Sequence, residues 1–94
     1  MDAKIMTLHP QGKQGANISQ EKYDTVRGAI VDSLADRGEM SFWGLVEDVK
    51  RKLADNFDGS VNWYVTTVKL DLEARGRIER LASSSPQRLR LVPG

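Results

Sequence analysis

The sequence predicts a mainly α-helical chain closed by a small β-hairpin, an α+β domain of three helices and a C-terminal hairpin. Three observations predict it. Apolar residues recur at spacings of three and four in three separate stretches, the sign of helices with one buried face. Glycines stand between these stretches. Beyond Gly76 the period changes to two, with leucines alternating with arginines at 88–91. At 94 residues the chain has room for one domain.

Residues 1–18 form an arm without a helical period. Pro10, Gly12 and Gly15 break any helix there, and "IMTL" reads at most as a short extended piece. Ser19 is a good N-cap with Glu21 in the turn that follows. Tyr23, Val26, Ile30 and Leu34 then mark a first helix over 20–37, ended by Gly38. Met40 fits a brief strand and Ser41 caps a second helix, whose stripe is Phe42, Leu45, Val46, Val49 and Leu53. "NFDGS" is a turn, with Ser60 as the next cap. Val61, Tyr64, Val65, Val68 and Leu72 set a third helix over 61–75. Its β-branched residues lower helix propensity, but the 3.6-residue period decides for a helix. "RIERL" and "RLRLV" are two strands joined by a turn-rich "ASSSPQ", and the domain proper runs over 19–92 with 93–94 as a tail.

Composition limits the functions to consider. The absence of cysteine removes disulfides and thiolate metal sites. No apolar run approaches the ~18 residues of a membrane span, and no signal-peptide pattern opens the chain, so no membrane partner and a cytoplasmic location are expected. Net charge is +1 but unevenly spread. Residues 1–74 carry nine Lys/Arg and twelve Asp/Glu, 9 − 12 = −3; residues 75–94 carry five arginines and Glu79, 5 − 1 = +4.

"HPQGKQG" at 9–15 looks like a phosphate-binding loop but lacks its spacing. Such a loop needs Gly, four residues, then Gly-Lys-Ser/Thr. Here Thr7 stands where the first glycine belongs and Gln14 follows Lys13. Loose anion binding by the amides near Gly12 and Gly15 is the most this stretch offers. His9, the single histidine, has no ligand spacing to the nearest acids, Asp2 and Glu21. Asp24, Asp32 and Asp36 read as a solvated face with Arg27 and Arg37 nearby, and Lys50-Arg51-Lys52 as cations at a helix C-terminus. No catalytic pair, metal site or cofactor motif emerges, and a non-enzymatic protein is expected.

The order helix, short strand, helix, turn, helix, hairpin resembles the winged helix-turn-helix over residues 20–92. "GEMSFWGLVEDV" looks like that family's first strand and second helix, and "EARGRIERL…QRLRLV" like its third helix running into the wing. The chain is also similar to small uncharacterised bacterial proteins that pair an HPxGKxG-like segment with such a domain. The first resemblance implies a third helix that enters the major groove of double-stranded DNA and a wing that touches its backbone. The groove-facing residues would be Asn62, Thr66 and Thr67 with Lys69 on the flank, and the wing cations Arg77, Arg88 and Arg90.

The same outer face of the third helix carries Trp63, Leu70 and Ala74, has no arginine, and has Glu73 at its edge. An apolar ridge of this kind is normally covered. The candidates are the arm through Ile5, Met6 and Leu8, a second copy of the chain, or another protein. The leading expectation is therefore a nucleic-acid-binding or transcription-associated module. The competing one is a protein-interaction or homodimerisation module using Trp63, Leu70 and Ala74.

Overall fold

A computed structural model describes residues 3–81 and 87–93. The elements run β1 (Lys4–Met6), β2 (Asn17–Ser19), α1 (Gln20–Arg37), β3 (Glu39–Ser41), α2 (Phe42–Leu53), α3 (Val61–Ala74), β4 (Ile78–Leu81) and β5 (Arg88–Leu91). The expected helices are present, the first and third within a residue of their expected bounds, and most of the 82–87 connection lies outside the described residues.

Each helix starts on a serine whose hydroxyl accepts a backbone N–H of the first turn. Ser19 takes Lys22 N–H at 3.3 Å, Ser41 takes Gly44 N–H at 3.1 Å and Ser60 takes Trp63 N–H at 3.2 Å. These bonds satisfy donors that the first helical turn otherwise leaves unpaired. At the far end of α1, Gly38 N–H closes on Leu34 O at 2.8 Å.

The three helical stripes meet in one core. Val26, Ile30 and Leu34 of α1 pack with Leu45, Val46 and Val49 of α2 and Val65, Val68 and Leu72 of α3. Met40, Ile78 and Leu89 close it from the sheet. That sheet is antiparallel in the order β3-β5-β4, with Met40 opposite Leu89 and Ile78 opposite Leu91. The result is α+β, three helices with small antiparallel sheets in one compact domain, compatible with a winged helix-like arrangement. No helix among the described residues is long and apolar enough to cross a membrane.

Residues 3–18 do more than their sequence suggests. β1 and β2 pair antiparallel, with Ile5 opposite Ile18. Ile18 is buried in the core, and Ile5 and Ala16 pack against it. The arm is thus a second, two-stranded sheet continuous with the packing of the domain.

One residue sits in a backbone region that disfavours it. Ala54, just after α2, has φ 49° and ψ −133°, a conformation suited to glycine. Ala54→Gly should raise stability by about 1 kcal/mol, the relieved strain exceeding the entropy cost of glycine. Chemical denaturation of the two proteins checks this.

Candidate functional site

The structure gathers its polar chemistry where the arm meets α3. Asp71 lies on the buried side of α3 and its side chain has no solvent exposure. Its Oδ1 accepts Leu8 N–H from the arm at 2.8 Å. Its Oδ2 accepts the Tyr23 hydroxyl of α1 and Arg75 Nε at 2.8 Å. Arm, first helix and third helix are therefore tied at one carboxylate. Burial, and then the hydrogen bond to Asp71, push the Tyr23 phenol up to about 12. The Asp71 hydrogen bond also raises the Arg75 guanidinium above its ordinary value.

Beyond Leu8 the arm turns back through "HPQGKQG". His9 O accepts Gly12 N–H at 3.0 Å, and His9 Nδ1 accepts Gln11 N–H at 3.1 Å. Gly12 has φ 73°, which favours glycine. Thr7 is buried; its N–H donates to Ala16 O at 2.8 Å and its Oγ1 accepts Ala16 N–H at 2.8 Å. A Cβ at Gly15 would overlap the Thr7 carbonyl, so only glycine lets the returning strand approach. The two glycines that suggest a phosphate loop serve this hairpin. Lys13 at its tip is exposed.

The returning arm lies beside the outer face of α3 and leaves a cleft of about 210 Å³ lined by Leu8, His9, Gln14, Trp63, Thr67 and Leu70 among others. The arm thus covers the ridge in part. Thr67 and Leu70 are half-buried, while Trp63 keeps 47% of its surface exposed. Trp63 stands edge-on to Tyr64, ring centroids 4.9 Å apart, and Tyr64 edge-on to Phe57 at 5.0 Å. Lys22 Nζ sits 5.6 Å from the Tyr64 ring centroid. This aromatic ladder holds the indole in place. Leu8 at 45% and Met6 at 54% exposure carry the apolar surface onto the arm.

The residues expected to meet nucleic acid do not form one exposed surface, since Lys69 is buried. Asn62 and Thr66 are exposed on the first turns of α3, although Thr66 Oγ1 already donates to Asn62 O at 2.8 Å. Ala74 is half-buried at the end of the helix. Lys69 is buried, 3.2 Å from Glu73 and 5.6 Å from the Phe42 ring centroid. Register places Arg90 opposite both Glu39 and Glu79. Arg90 pairs with Glu79 at 2.6 Å and Arg88 with Glu39 at 2.9 Å. The sheet thus sets two arginines against two acids. Arg80 turns back to Glu73 of α3, which holds its guanidinium above the ordinary value. Arg77 precedes β4 and lines a separate groove along α1.

Sequence reasoning passed over Asp71, although a signal was present: it is an acid three residues after Val68 and next to Leu72, within the apolar stripe. Tyr23 was legible only as core, since its partner lies 48 residues away. The description "Family of unknown function (DUF6958)" belongs to the family that matches residues 4–89. No curated protein and no solved structure matches the chain.

Two outcomes follow for this site. The raised Tyr23 pKa favours the protonated phenol in the fold. Its contribution to stability is complete below the unfolded value of about 10 and is lost as pH rises through about 12. Tyr23→Phe should remove that alkaline loss and cost about 1.5–3 kcal/mol at neutral pH, measured by denaturation across pH. Gly15→Ala should detach the arm from α3, seen as easier quenching of Trp63 fluorescence in a Trp43→Phe background while helical circular dichroism persists.

Proposed function

The chain belongs to this family, and from that premise we propose that it is a non-enzymatic winged helix module that docks a segment of another protein in the Trp63 cleft. The observation that carries this reading is the exposure of Trp63. With the arm in place, nearly half of a large aromatic side chain remains at the surface, fixed by Tyr64 and Phe57. A rigid, partly exposed tryptophan beside a cleft has the character of an interface anchor. At about 210 Å³ the cleft is smaller than the ~300–1,000 Å³ of sites that enclose a whole small ligand. It suits one large apolar side chain of a partner. His9 lines the cleft, Lys13 is exposed on the same turn, and among the described residues no acid lines the cleft. The partner segment is therefore one that sets an acidic or neutral residue beside its apolar anchor.

The exposure of Asn62 and Thr66 at the start of α3 favours a second reading, contact with DNA bases. The pairing of Arg88 and Arg90 with acids and the burial of Lys69 leave that reading short of the positive charge that phosphate contacts need.

Selection against a random displayed peptide library separates the two. The expected result is a family of peptides pairing a large apolar residue with an acid, whose binding falls about tenfold or more in Trp63→Ala and in Leu8→Asp. Absence of any enriched family overturns the proposal. So does salt-dependent binding to mixed-sequence duplex DNA that Asn62→Ala weakens and Trp63→Ala spares.

A further inference from the structure

Away from the Trp63 cleft, a trough of about 680 Å³ runs along α1. One wall is the α1 face with Tyr23, Arg27, Gly28 and Val31; Leu72 of α3 with Arg75 and Arg77 beyond its end form the other, and Ile5 of the arm also lines it. Its size falls within the ~300–1,000 Å³ range of small-ligand sites.

Gly28 is the telling residue. It lies in the interior of an 18-residue helix, where glycine weakens the helix relative to alanine. Its φ is not positive. A Cβ there would meet nothing within 4 Å. Neither backbone conformation nor close packing calls for glycine at this position. What glycine supplies is width, since it leaves the trough open down to the α1 backbone.

The charges around this opening are selective. Among the described residues the Arg77 side chain has no hydrogen bond or ion pair. Arg75 is fixed in the same wall by its Nε bond to Asp71. Arg27 lies 3.9 Å from Asp24, which also accepts Gln20 Nε2 at 3.0 Å. Asp71 compensates Arg75 and Asp24 lies beside Arg27, so of the three lining guanidiniums Arg77 alone has no acid partner among the described residues, with Asp32 also in the lining. One unpartnered guanidinium suits a single anionic group and disfavours a polyanion.

We infer that this trough binds a small organic monoanion, a carboxylate on an apolar body. Arg77 receives the carboxylate in the two-point geometry that guanidinium offers, with Arg75 beside it. The apolar body lies over Ile5, Gly28, Val31 and Leu72. The site is independent of the Trp63 cleft and shares no lining residue with it.

The test is an NMR titration of the full chain with octanoate, benzoate and phenylacetate, and with octanamide and inorganic phosphate as controls. At least one carboxylate should give saturable shifts at the Gly28, Val31 and Arg77 amides. Octanamide and phosphate should bind about tenfold more weakly or worse. Arg77→Gln should weaken the carboxylate by a similar factor. Gly28→Leu should melt at a higher temperature, because leucine favours the helix, and should lose the carboxylate. The inference is overturned if none of the three carboxylates saturates, if octanamide binds as well as octanoate, or if Gly28→Leu binds unchanged.

Discussion

Three donors converge on the Asp71 carboxylate, which is closed to solvent: a backbone N–H from the arm, a phenol from α1 and the guanidinium of Arg75, the residue that caps the end of its own helix. A charge in an apolar interior is costly unless it is paired and hydrogen-bonded. Asp71 meets that condition only when all three elements are in place. The arm is therefore held at a set height along α3, since Leu8 N–H must reach Oδ1. Its return through Thr7 and Gly15 follows from the same constraint.

From this height comes the rest of the surface. The turn at His9–Gly12 ends beside Trp63, Thr67 and Leu70, which covers part of the apolar ridge and leaves a small cleft. Arg75, anchored by the same carboxylate, faces the trough on α1. One buried acid thus fixes a wall of each concave feature, and the cleft and the trough lie on different sides of the residues it ties together. The three-stranded sheet is governed separately, by cross-strand pairing of Arg90 with Glu79 and Arg88 with Glu39 and by the Arg80 link to Glu73.

Helices, caps and core were legible in the sequence because they depend on local period and local chemistry. Val26, Ile30 and Leu34 mark a face without knowledge of their partners, and Ser19, Ser41 and Ser60 mark the starts. β1 and β2 were not legible as a sheet, since three residues each carry too little alternation, and only pairing of Ile5 with Ile18 reveals their role. The flank position of Lys69 could be read from helical geometry, but its burial against Phe42 and Glu73 could not. Arg88 and Arg90 were visible as part of a positive segment, yet their pairing with Glu39 and Glu79 depends on strand register. The acid inside the α3 stripe was the readable sign of the clamp; the identity of its donors was not.

Native-state hydrogen exchange at the Leu8 amide, compared between the natural chain and Asp71→Leu, tests the clamp most directly. Leucine is bulkier than aspartate and favours the helix, but it offers no acceptor. Local opening of the arm should then become easier than opening of the core. The account predicts that Leu8 and Thr7 lose most of their protection in the variant while Val65 and Val68 keep theirs relative to global stability. Protection of Leu8 that stays in step with the core in the variant would contradict it.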